Sequence, residues 1–286
     1  MGVVLRSIKT EFIDPMPKNH GVLPCPEMRC EPTPKQLQAS DGHVLHAMQY
    51  LASGQPKGYL IVAGATGVPQ RFYKRFAQFA AAQGLEVWTL DYRGIGLSKP
   101  ESLVGFEMDY LDWARQDLAA QLAHLAAQGD TPIWMVGHSY GGHAFGLLPG
   151  KERVQRFATF ATGAGWHGWM PPLERLRVLF MWRVLGPLIV RAKGYLAWSL
   201  LGMGEDLPRG VYTQWRHWCQ WPRYFFDDPA QAHLAAEFAK VDIPIRAINL
   251  EPTSLGMPAI GHMGYFRPQA QALWKDTLDW LTTDEA

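Results

Sequence analysis

One pentapeptide in the 286-residue chain combines a hydroxyl nucleophile with small neighbours, Gly137-His138-Ser139-Tyr140-Gly141. It follows the apolar run 133–136 and precedes a helix expected to begin at Gly141, the strand–turn–helix setting of a nucleophile elbow. A serine on so sharp a turn is strained, and Gly137, Gly141 and Gly142 let strand and helix approach. The turn should lift the Ser139 hydroxyl to the carboxyl edge of a sheet and aim the Tyr140 N–H at an attacked carbonyl oxygen. A bare Gly-x-Ser-x-Gly string also suits a plain glycine-rich turn; the flanking strand and helix make it informative. A serine hydroxyl needs a base. Of the ten histidines, His262 in Ile260-Gly261-His262-Met263-Gly264 fits best, because it lies between the last strand and the last helix with glycines that leave its ring exposed in a loop. His43 and His46 fall on a hairpin and His124 on a helix. His138 and His143 flank the serine, where a structural role suits both. A second N–H for a developing oxyanion is expected from Gly64-Ala65-Thr66-Gly67, with Ala65 the better candidate, although these glycines could serve only to relieve crowding.

The elements that must hold these residues can be read from hydrophobic patterning. Residues 35–40 and 43–51, joined at Asp41-Gly42, predict a β-hairpin, since Asp-Gly tolerates the positive φ of such turns. Runs 58–63, 86–92, 133–136, 154–162 and 243–250 are apolar along their length and predict buried strands. Between them lie a helix opened by Pro69 with Phe72, Phe76, Phe79 and Ala80 on one face, and another over 109–128 with Leu111, Leu118, Leu122 and Leu125 in register. A last helix is expected over 269–281. The order predicts an α/β fold, a mostly parallel sheet with helices on both faces. Residues 165–228 differ, with seven of the twelve tryptophans and no strand-like run. They predict a helical insertion leaving the sheet beside the serine and covering it as a cap. Some of its tryptophans should line a cavity, with Arg177, Arg183 and Arg191 on its outer face. Six prolines within residues 1–34 predict an extended arm, leaving 35–286 as the domain.

Composition excludes several functions. Apolar residues make up 48% and charged residues 19%, a globular balance, and the net charge of +1 gives no long-range field for nucleic acid or an anionic membrane. The apolar stretch 178–201 is broken by Arg183, Arg191, Lys193 and Gly186-Pro187, so no membrane span is expected. Cys25, Cys30 and Cys219 form neither a disulfide framework nor a zinc site, and free thiols suit a reducing, cytoplasmic compartment. No metal or cofactor is expected. The chain has no Gly-x-Gly-x-x-Gly after its first strand, and Arg93-Gly94-Ile95-Gly96 lacks the lysine and spacing of a phosphate loop.

From about Lys35 onward the chain resembles the α/β-hydrolase superfamily, and within it a bacterial branch of predicted hydrolases. Four stretches carry the resemblance. They are 65–73 (ATGVPQRFY), 91–96 (DYRGIG), 204–210 (GEDLPRG) and 260–264 (IGHMG). The resemblance implies the α/β-hydrolase fold, a Ser-acid-His catalytic set and a helical cap. The expected function is hydrolysis of an ester or related acyl substrate, small and apolar, with Ser139 attacking, His262 shuttling the proton and the Tyr140 and Ala65 amides holding the oxyanion.

The third member of such a set is where the pattern breaks. An Asp or Glu should lie between Ser139 and His262 in chain order, with a helix and a further strand before the histidine. Only one strand-like run, 243–250, stands there. Either Glu251 closes a strand that doubles as the penultimate one and is the acid, or the acid-bearing segment is absent. The residues at 255–257 and 260–262 resemble the segment after the last strand in the relatives and favour absence. Asp242 would lie at the wrong edge. Loss of the carboxylate costs about four orders of magnitude of turnover in serine proteases. The alternative function is therefore a hydrolase-fold binding protein with impaired catalysis.

Overall fold

A computed structural model describes residues 31–202, 204–249 and 261–283. These residues form a seven-stranded sheet in the order β1-β2-β4-β3-β5-β6-β7. The strands are β1 (Thr33–Gln38), β2 (Val44–Tyr50), β3 (Tyr59–Ala63), β4 (Glu86–Leu90), β5 (Ile133–His138), β6 (Val154–Phe160) and β7 (Ile245–Ile248). β1, β2 and β4 pair antiparallel, and every pairing from β4 through β7 is parallel. β3 and β5 are buried at every residue, as strands covered on both faces must be. The edge strand β1 starts two residues inside the expected arm, with Thr33 and Pro34 opposite Gln49 and Met48. A proline is tolerated there because an edge strand has one unpaired side.

The helices are α1 (Lys74–Ala82), α2 (Ala119–Ala126), α3 (Tyr140–Leu147), α4 (Pro172–Phe180), α5 (Gly186–Lys193), α6 (Arg209–Trp218), α7 (Ala232–Phe238), α8 (Gly261–Gly264) and α9 (Gln271–Thr282). α1 and α9 cover one face of the sheet, through a cluster including Phe76, Phe79, Trp274 and Leu278. α2 and α3 cover the other with Leu122, Leu125, Ala144 and Phe145. Burial on both faces supplies the main stabilisation, since each large apolar side chain removed from water contributes about 1.5–3 kcal/mol.

The loop after β4 is not a phosphate site. Arg93 is folded inward, its side chain 6% exposed, and its Nε donates to Asp117 Oδ1 at 2.7 Å. Its backbone N–H meets Asp117 Oδ2 at 2.8 Å, and the guanidinium also reaches Asp41 in the hairpin turn. Burial pushes the Asp117 carboxyl up to about 7 against the pull of Arg93. Gly94 takes φ +80°, and a Cβ there would stand 2.4 Å from Pro208. The glycine-rich turn is thus the seat on which the 204–210 stretch rests.

Residues 165–228 contain α4, α5 and α6 and, among the described residues, no strand longer than an isolated bridge, Leu196 to Leu207. Trp218 is buried in the core and stacks on Tyr110, whereas Trp169 is exposed. Arg177, Arg183 and Arg191 are exposed. Among the described residues no helix is long and apolar enough to cross a membrane, and no cluster of His, Cys, Asp and Glu could hold a metal ion. Cys219 is a buried free thiol whose pKa burial pushes up to about 12; Cys25 and Cys30 lie outside the described residues.

Candidate active site

Ser139 stands between β5 and α3 with φ +53° and ψ −109°, a conformation that L-residues avoid unless the surroundings enforce it. Three hydrogen bonds hold it. Its N–H donates to Phe160 O at 2.9 Å, and its carbonyl accepts from Gly142 N at 3.0 Å and from Thr162 Oγ1 at 3.1 Å. The close approach of α3 to β3 requires glycine, since a Cβ on Gly141 would lie 2.2 Å from Ala63 O. The Tyr140 side chain is buried, donating to Tyr110 O at 2.8 Å and stacking on the Tyr110 ring at 4.4 Å. Its N–H opens α3 and has no carbonyl of that helix to meet.

A cavity of about 750 Å³ lies over the serine. Ser139 and His262 both line it, with Ala65, Thr66, Phe72 and Met263 from the α/β body. Trp198, Ser199, Gly204, Glu205 and Trp215 line it from the 165–228 segment. Arg71 Nη2 and Glu205 Oε1 pair at 2.8 Å between the two sides. The ring of Trp198 meets that of Trp215 edge-on at 5.5 Å.

His262 lies in the single helical turn α8 rather than in an open loop. The residue is exposed at the cavity wall, yet protein packed on its inner side holds its pKa below the ordinary histidine value by desolvation. No hydrogen bond joins its ring to the Ser139 hydroxyl; the structure brings the two to one cavity without engaging them. Among the described residues no carboxylate contributes to the His262 shift. Glu251 lies outside the described residues.

His262 is held through its backbone instead. Its carbonyl accepts from His138 Nε2 at 2.8 Å, and His138 Nδ1 meets the Tyr73 hydroxyl at 2.9 Å. That hydroxyl in turn accepts from the Ala65 N–H at 2.8 Å. Donors and acceptors agree along the chain only if His138 is neutral with its proton on Nε2, so that Tyr73 donates to Nδ1. Burial enforces this by lowering the His138 pKa to about 3. The brace ties together the loop after β3, the residue before Ser139 and the turn carrying His262. Phe266 supports it, its ring 4.9 Å from that of Tyr73 and 5.0 Å from that of His138.

The brace bears on the second oxyanion donor. The Ala65 amide, the better candidate by sequence, donates to the Tyr73 hydroxyl inside the protein. The next amide, that of Thr66, has no acceptor among the described residues, and Thr66 lines the cavity. Sequence reasoning missed Tyr73. Its only signal was membership of the 65–73 stretch, because a tyrosine on an amphipathic helix reads as core. The loop itself is fixed by Gln70, whose N–H and Nε2 reach the Asp91 carboxylate at 2.7 and 3.0 Å.

A parallel sheet flanked by helices, with a strained serine at the β5–α3 turn beneath a cavity, defines the α/β-hydrolase class. The profile of the alpha/beta hydrolase family matches residues 59–281, and the chain belongs to that family. Solved structures share the fold at low sequence identity. A soluble variant of monoglyceride lipase from Saccharomyces cerevisiae aligns with a TM-score of 0.61 at 14% identity, over 91% of this chain and 98% of its own. DcsB, solved with a substrate analogue, aligns at 0.57 and 14%, over 88% and 99%. A thermostable carboxyl esterase from Bacillus coagulans aligns at 0.54 and 12%, over 87% and 97%. No curated protein matches the chain in sequence.

Proposed function

We propose that the protein is a serine hydrolase of esters or related acyl compounds, with Ser139 as nucleophile and His262 as base. The observation that carries this reading is the strained Ser139 on the floor of a cavity whose wall holds His262. The Ser139 oxygen attacks the acyl carbon while His262 takes its proton, then passes it to the departing alcohol. Water attacks the acyl-enzyme, losing a proton to His262, and the acid leaves as the Ser139 hydroxyl is restored. The oxyanion is met by the Tyr140 N–H and, in place of Ala65, by that of Thr66. Phe72, Trp198, Trp215 and Met263 suit a small apolar acyl group, and residues 165–228 act as the cap. The esterase and lipase among the structural neighbours fit the same reading.

A fluorophosphonate probe followed by peptide mapping tests it. Labelling at Ser139 of the native protein, abolished in Ser139→Ala, is the expected result. An unlabelled Ser139 in folded protein would defeat the proposal. It would favour the second reading, a binding protein of this fold, which the absence of a carboxylate partner for His262 among the described residues supports.

A further inference from the structure

α4, the π-helical turn Met181–Leu185 and α5 run without a break from Pro172 to Lys193. This rod is apolar on two sides. Inward, Trp182, Ile189 and Val190 pack on the core. Outward, Leu173, Leu176, Phe180, Val184 and Leu188 follow one another at steps of three or four residues, the spacing of a single helix face. With Trp169 just before the rod, these side chains are 44–66% exposed. Steps of four drift around an ordinary α-helix, and the wider π turn at 181–185 offsets part of that drift.

The same segment concentrates positive charge. Arg175, Arg177, Arg183, Arg191 and Lys193 are all exposed, against the single carboxylate of Glu174, in a chain whose net charge is +1. Arg177 lies 3.9 Å from Glu174, both well exposed, a contact of little consequence. A contiguous exposed apolar stripe marks a surface that something covers. A second copy of this segment would bring two basic clusters together. An apolar layer bearing negative charge complements both features, and an exposed tryptophan beside a helix of leucines and arginines is the composition of interfacial helices.

We propose that the outer face of residues 169–193 docks on bilayers containing anionic lipid, the rod lying in the plane of the interface. The opposite side of the rod supports this orientation. Val178, Met181 and Trp182 line a second cavity of about 310 Å³, which shares Trp198 with the cavity over Ser139. Docking is independent of the assignment of Ser139 as nucleophile.

The test is co-flotation of the full chain with vesicles of phosphatidylcholine alone and of phosphatidylcholine with one quarter phosphatidylglycerol. The wild type should partition about tenfold or more in favour of the anionic vesicles, with the preference falling at high salt. The double substitution Leu176→Ser with Phe180→Ser removes two exposed side chains and should lower partitioning about tenfold or more. An unchanged urea midpoint for this variant shows that its fold is intact. Ser139→Ala should bind vesicles like the wild type, which separates this proposal from the catalytic one. No binding of the wild type to anionic vesicles, or equal binding by the double variant, would overturn the proposal. A concentration-dependent dimer in sedimentation that the double substitution abolishes would also overturn it, assigning the face to a second copy.

Discussion

Replacing Tyr73 by Phe isolates the brace behind Ser139 and His262. The ring is retained, with its contacts to Phe266 and Phe72 at 4.9 and 5.2 Å, and only the hydroxyl is lost. Two groups then lose their partner, the Ala65 N–H and His138 Nδ1, in residues 3% and 0% exposed. A buried polar group left without a partner costs about 1–3 kcal/mol, so with two such groups the substitution should destabilise by about 2–6 kcal/mol. For a chain of this size that corresponds to a fall of about 4–12 °C in Tm. Urea unfolding followed by tryptophan fluorescence measures the loss directly, read as a lower midpoint at constant slope. A loss below about 0.5 kcal/mol, the range of ordinary surface substitutions, would refute the brace.

Three further outcomes rest on the buried charges and histidines. His138 is neutral in the folded state with a pKa of about 3, against 6.5 unfolded, so the unfolded chain binds the extra proton between these values. Stability contributed by this group is complete above pH 6.5 and is lost on acidification at up to about 1.4 kcal/mol per pH unit. Urea titrations of His138→Gln between pH 5 and 6.5 should lack that slope, and an equal slope in both proteins would contradict the assignment. As the proposed base His262 must be neutral, and its pKa is lowered by desolvation, so kcat/KM should fall as pH drops, with a midpoint below 6.5. A midpoint above that value would show a partner favouring the charged ring. Arg93→Ala leaves Asp117 buried beside no cation and should cost about 3–5 kcal/mol in chemical denaturation; a loss under about 1 kcal/mol would not fit a buried pair.

The sequence by itself determined the features that depend on neighbours along the chain. Buried strands are apolar throughout and helices repeat at 3.6 residues, so β3, β4, β5, β6, α1 and α9 were legible from their patterns. The elbow was legible for the same reason, because its geometry is local and demands glycine where backbones touch. The β1 boundary was misplaced by two residues, since Thr33 and Pro34 are strand only because Gln49 and Met48 lie opposite.

Only the tertiary structure decided how distant groups share protons and charge. Which amide of the β3 loop is free depends on Tyr73, eight residues from Ala65, and on His138, sixty-five residues beyond Tyr73. No spacing rule links them, because the turn leading into α1 sets the Tyr73 hydroxyl against His138 at the end of β5 only in the folded chain. The missing lysine and spacing already argued against a phosphate loop at Arg93, but only the fold shows the carboxylate partners of that arginine, at positions 41 and 117. Net charge is likewise a sum over the whole chain. A value of +1 excludes a long-range field, but only the fold places five basic side chains and an apolar stripe on one exposed rod, where proximity rather than total charge sets the local potential.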